Sequence, residues 1–131
     1  MAIEVNNLSA AAVDKNLLKR IIKAVLVGEK SKKDISFVLA DPAQMKALNR
    51  KYRKKNKPTD VLTFPELDIL ICPKIIKDNA KKDGVSFERE LVKVTIHGVL
   101  HFLGYDHEKG KKQAGEMLNK EKKYLKILFS L

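Results

Sequence analysis

The stretch from Phe87 to Leu103 is apolar on nearly every side: Leu91, Val92, Val94, Ile96, Val99, Leu100, Phe102 and Leu103 leave no polar stripe wide enough to face water. At helical spacing and this length, such a segment has to be a buried helix, with the rest of the chain arranged around it. Ser86 and Arg89 sit where a cap and its third residue fall, and Glu88 and Glu90 occupy the first turn, where the helix dipole favours acids. Gly104 can stop the helix by taking a left-handed conformation.

That helix carries two of the three histidines in the chain. His97 and His101 are four apart, so their rings share one face, with Cβ atoms about 5–6 Å from each other. Past Gly104 the chain can turn back and bring in the third, His107, to close the run His-Gly-Val-Leu-His-Phe-Leu-Gly-Tyr-Asp-His. A lone histidine on an apolar helix is usually a core residue with its hydrogen bonds satisfied. Three at these intervals match a three-ligand metal site, which zinc accepts while keeping a fourth position for water. The spacing is that of the metzincin signature with one departure: Gly98 stands where that signature has the glutamate base. Water on such an ion is acidified toward a pKa of about 7, which can replace a dedicated base. Asp106 either orients a ligand imidazole or shapes the turn after Gly104, and the turn is the simpler use. Tyr105 reads as a packing residue, and Lys109, Lys111 and Lys112 as solvated.

With 131 residues the chain is long enough for one domain, 1–131, with a real core. Its N-terminus lacks the basic-then-apolar pattern of a secretion signal, and no run approaches the length of a membrane span. One cysteine, Cys72, excludes an intrachain disulfide and suits a reducing cytoplasm. It follows Asp-Ile-Leu-Ile and reads as an inert buried thiol in a strand.

The net charge of +11, from 27 Lys and Arg against 16 Asp and Glu, favours polyanionic partners through counterion release. A lysine-rich surface also serves solubility, so the distribution matters. Six of the eight residues from Arg50 to Lys57 are basic: Arg50, Lys51, Arg53, Lys54, Lys55 and Lys57. No acid interrupts them, which points to nucleic acid rather than to a plain solvated helix end. Arginine, always ionised and planar, suits charge building on a phosphoryl group, and Arg53 and Arg50 are the candidates.

The remaining pattern predicts strands over Ile3–Leu8, Ile35–Ala40, Thr59–Pro65 and Asp68–Cys72. It predicts helices over Leu17–Val27 behind an Asp14 cap, from Pro42 into the basic run, over Lys74–Lys82, over Phe87–Leu103 and over Gly110–Phe129. Gly28 and Gly84 close two of them. The expected fold is α+β: a small mixed sheet of about four strands packed with about five helices, bearing a zincin-like three-histidine site.

The histidine run, together with Leu48-Asn49-Arg50-Lys51-Tyr52-Arg53 and Pro58-Thr59-Asp60-Val61-Leu62-Thr63-Phe64-Pro65, closely resembles the YbeY family of bacterial endoribonucleases, also called rRNA maturation factors. The resemblance runs from about Leu39 to the C-terminus. It implies a zinc-dependent, single-strand-specific endoribonuclease acting in 16S rRNA 3′-end maturation and ribosome quality control. Its ligands would be His97, His101 and His107 to one zinc ion, and its functional arginine Arg53. Apart from the resemblance, the charge of the basic run alone makes Arg50, Lys51, Lys54, Lys55 and Lys57 the expected RNA contacts. The segment between Phe64-Pro65 and Asp68-Ile69 is shorter than the family's. Two other readings compete: a metal-dependent amide or peptide hydrolase, and a non-catalytic rRNA-binding assembly factor with a structural zinc.

Overall fold

Burial alternates along β2, runs without a break through the last three residues of β4 and recurs every third or fourth residue in α1, and the architecture follows from those patterns. The computed structural model describes residues 1–55, 59–64 and 68–129. In chain order the elements are β1 (Ile3–Asn7), α1 (Lys15–Gly28), β2 (Ile35–Leu39), α2 (Pro42–Arg53), β3 (Val61–Thr63), β4 (Asp68–Ile71), α3 (Pro73–Asp83), α4 (Phe87–Phe102) and α5 (Lys111–Phe129). The sheet order is β1-β2-β4-β3. β1 and β4 flank β2 in parallel, with Ile3 opposite Ile35 and Phe37 opposite Ile69, and β3 closes the edge antiparallel to β4, with Leu62 opposite Leu70. The expected mixed sheet and five helices are therefore present among the described residues.

β4 is buried on both faces, as a strand covered on two sides must be. Ile69 and Ile71 join the main core with Phe37 and Leu39, while Leu70 points the other way into a smaller cluster with Met45, Leu62 and Cys72. Within the main core α4 packs against α1, α3, α5, β3 and β4, so it is the central helix its sequence demanded. Ten of its residues are buried. Truncating one of them, such as Leu100, to alanine costs about 2–5 kcal/mol because a cavity remains. The buried Thr95 hydroxyl is satisfied by donating to the Leu91 carbonyl at 2.7 Å.

Local signals act as read. Asp14 accepts from Asn16 N at 2.9 Å and Ser86 Oγ from Arg89 N at 3.1 Å, capping α1 and α4. Pro42 opens α2, and the Gln44 side chain reaches back to Asp41 N at 2.9 Å. Gly84 and Gly104 have φ of +68° and +108° past the ends of α3 and α4.

Several ends differ from expectation by a residue or two, and three of the differences matter. α1 runs through Gly28 and is capped by Glu29, whose N–H donates to the Val25 carbonyl at 2.9 Å, while Lys30 N donates to the Val27 carbonyl at 3.0 Å. β3 is only Val61–Thr63, although hydrogen bonds from Cys72 N to the Asp60 carbonyl and from Phe64 N to the Asp68 carbonyl flank it. Cys72 lies one residue past β4 as the N-cap of α3; it is fully buried, and burial pushes its thiol pKa up. The expected ends at Pro58 and Pro65, and the shortened stretch after Phe64, fall at or within residues outside those described. Among the described residues no helix is long and apolar enough to cross a membrane.

Candidate active site

α4 fixes where two of the three histidines go. The helix buries most of its circumference, and His97 and His101 occupy the part left half-exposed, one turn apart. After Leu103 the chain closes on itself: Gly104 N donates to the His101 carbonyl and Tyr105 N to the Leu100 carbonyl. The positive φ of Gly104 lets the backbone reverse there, and His107 swings beside the other two. The His97 and His107 ring centroids are 5.1 Å apart, and those of His101 and His107 6.5 Å. Asp106 serves the turn, its Oδ1 accepting from Glu108 N at 2.9 Å.

All three rings line one cavity of about 230 Å³. Its opposite wall comes from Thr59, Asp60, Val61 and Thr63 around β3, and Arg53 closes it from the end of α2. Arg53 thus joins the histidines across more than forty residues of sequence. Glu108 also lines the cavity, 3.9 Å from His107 Nε2. Partial burial lowers the pKa of His101; the Asp106 carboxylate pulls the other way, and His97, Arg53 and His107 reinforce the lowering. His101 is therefore a neutral imidazole at pH 7, the form that has a free lone pair.

Of the other basic residues, Arg50, Lys51, Lys54 and Lys55 are exposed around the end of α2 and do not line the cavity. Lys51 Nζ lies over the Tyr52 ring at 5.2 Å, and Tyr52 meets Phe64 edge-on at 5.2 Å. Lys54 takes a left-handed conformation, φ 57°, to end the helix. Lys57 lies outside the described residues. A larger, more open hollow of about 660 Å³ lies beside Leu103, Tyr105 and Glu29, and none of the histidines lines it.

Three features of the site were missed in the sequence. Glu121 of α5 places Oε1 2.6 Å from His97 Nδ1. Glu29 accepts from Tyr105 Oη at 2.6 Å and from Tyr124 Oη, with Lys120 Nζ 3.3 Å away, so Tyr105 is a hydrogen-bond donor as well as a packing residue. That bond to a carboxylate pushes the Tyr105 phenol up to about 12. Gly98, finally, faces the sheet: a Cβ there would lie 3.0 Å from Ile69 Cγ2 and 3.3 Å from Val61 Cγ2. A glutamate there would have to push Ile69 and Val61 aside, so the departure from the metzincin signature coincides with close packing of α4 on the sheet. Among the described residues no group of three His, Cys, Asp or Glu side chains stands ready-made as an ion cage.

The sequence model described as endoribonuclease YbeY matches residues 3–128, nearly the whole chain. The chain belongs to the YbeY family. Endoribonuclease YbeY of Thermotoga maritima is 39% identical over 114 residues, 82% of this chain and 76% of that protein. That of Chlorobium luteolum is 34% identical over 137 aligned positions, covering 98% and 99% of the two chains. The solution structure of TM1509 from Thermotoga maritima superposes with a TM-score of 0.71 at 34% identity, covering 95% of this chain and 87% of that one. The YbeY fold thus accounts for the whole mixed sheet and its helices, not for a fragment of them.

Proposed function

We propose that this YbeY-family chain is a zinc-dependent, single-strand-specific endoribonuclease that works in the cytoplasm on 16S rRNA 3′-end maturation and ribosome quality control. The observation that carries the reading is the meeting of His97, His101, His107 and Arg53 in one cavity. Its setting, a chain of net charge +11, supplies the electrostatic pull toward a polyanion.

The residues present fit a zinc ion by the chemistry of their donors. Three imidazoles and no thiolate face the cavity, as in catalytic rather than closed structural sites. His97 has Nδ1 committed to Glu121, which leaves Nε2. His97, His101 and His107 would hold the ion. When bound, it supplies Lewis acidity, bringing the pKa of water toward about 7 and polarising a phosphoryl oxygen.

The protein's own groups do the rest. Arg53 offers a planar, permanently charged fork to the non-bridging oxygens of the scissile phosphate, where negative charge builds. Arg50, Lys51, Lys54 and Lys55 neutralise flanking phosphates. A 230 Å³ cavity flanked by protein on both sides suits one unpaired strand better than a duplex. A peptidase of the metzincin type would need its base at position 98, and Gly98 carries no carboxylate.

Metal content and cleavage of single-stranded 16S precursor fragments, measured together with and without chelator, test the proposal. Zinc near one equivalent and loss of cleavage on chelation are the expected results. Undiminished cleavage by metal-free protein would overturn it.

A further inference from the structure

α5 is amphipathic, and its buried face is marked by Met117 and Tyr124, each 1% exposed. Glu121 lies between them at helical spacing, four residues after Met117 and three before Tyr124. Its side chain is 15% exposed. A carboxylate on the core side of a helix loses hydration and needs a specific partner. Its partner is His97, on α4, with Oε1 2.6 Å from Nδ1, a short contact of the kind charge assistance gives.

The direction of this bond follows from the inventory of donors. A carboxylate can only accept, so the proton sits on His97 Nδ1. Nε2 then carries the lone pair. Rotation of the ring about its own bond would break the contact, so α5 sets both the tautomer and the orientation of a residue on α4.

We propose that Glu121 is a positioning residue for His97, holding the imidazole with its Nε2 lone pair presented to the cavity shared with His101, His107 and Arg53. The inference rests on the three-imidazole zinc site proposed above and assigns it an anchor outside the cavity. A carboxylate behind a ligand imidazole raises its basicity, and loss of such a partner typically weakens metal binding about 10–100-fold. The alternative is a clamp that only ties α5 to α4.

Three proteins separate these: wild type, Glu121→Gln and Glu121→Ala, each as the full chain. Glutamine keeps an acceptor oxygen in the same shape without the charge, so it decides the matter if the alanine protein folds poorly. In metal-free protein, ¹⁵N shifts of the His97 ring report its tautomer. The Nδ1–H form is expected in wild type, largely kept in Glu121→Gln and lost to a mixture in Glu121→Ala. Zinc affinity, read by competition with a chromophoric chelator, should fall about 10–100-fold in Glu121→Ala, with Glu121→Gln between it and wild type. Affinities equal to wild type in both variants, with only the unfolding temperature lowered, would show a clamp and overturn the proposal while leaving the zinc site standing. Wild type that takes up no zinc would overturn the site and this anchor together.

Discussion

Gly98 and Ile69 touch: a Cβ on the glycine would lie 3.0 Å from Cγ2 of the isoleucine, in a core where Ile69 has no exposed surface. The contact lies where α4 packs on β4, and Gly98 is itself buried there. Gly98→Glu should therefore destabilise the fold by at least about 3 kcal/mol, through overpacking and a carboxylate buried without a partner. It should gain no peptidase activity. Thermal unfolding and a peptide substrate panel check both halves.

His101→Ala and Arg53→Ala should look alike in an RNA cleavage assay and unlike in a metal assay. Each should lower the cleavage rate by about 10²–10³-fold or more, the cost of removing one group that stabilises developing charge. The histidine variant should release zinc, and the arginine variant should keep its full complement. An Arg53→Ala protein that lost its metal would mean the arginine holds the pocket together rather than the phosphate.

Glu29→Gln tests the cluster that ties the end of α1 to the turn before His107 and to α5. Burial opposes the charge on Glu29, but hydrogen bonds from Tyr105, Tyr124 and Lys120, with the Lys120 charge, outweigh it and hold its carboxyl below the ordinary 4.5. The folded state thus releases this proton more readily than the unfolded chain does. The stabilisation is complete above pH 4.5 and is lost as pH falls through the depressed folded value. Glu29→Gln should cost about 1.5–3 kcal/mol at pH 7, and the gap from wild type should close in acid. Denaturant unfolding at a series of pH values is the measurement, and a gap that persists undiminished in strong acid would refute the assignment.

Lys54 and Lys55 should act on binding alone. Replacing both by alanine should weaken RNA binding for all sequences and flatten the plot of log affinity against log salt by up to about 1.4, at about 0.7 per phosphate contact on a single strand. Zinc content should not change. A slope equal to wild type would place the RNA path elsewhere.

Much of this molecule is written locally. His97 and His101 share a helix face because they are four apart, and Gly104 turns the chain toward His107; no distant residue is needed to see either. The strands and helices were legible for the same reason, and so were the caps at Asp14 and Ser86. Arg53 was visible, with Arg50, as a candidate for phosphoryl charge, but its place opposite the histidines depends on the α2 end meeting β3, and only the family resemblance singled it out from Arg50. Gly98 read as a glutamate lost, whereas its reason is Ile69 on a strand far back in the chain. Glu121 was hidden by the strongly basic surface of α5. The signal was present all the same: a carboxylate in register with Met117 and Tyr124, where an apolar residue belongs. Glu29 gave none, since a glutamate after Gly28 reads as an ordinary helix end.

The placement of α4 at the middle of the molecule has one more consequence. Two of the three imidazoles ride on an element whose stability comes from aliphatic side chains packed on four sides, so the architecture does not wait for an ion to assemble it. Small zinc modules such as the fingers collapse when stripped. This chain should instead keep its cooperative melting and helical circular dichroism after chelation, as an empty but upright vessel. If the proposed zinc site is the active one, starvation for zinc would then silence the protein without consigning it to proteolysis.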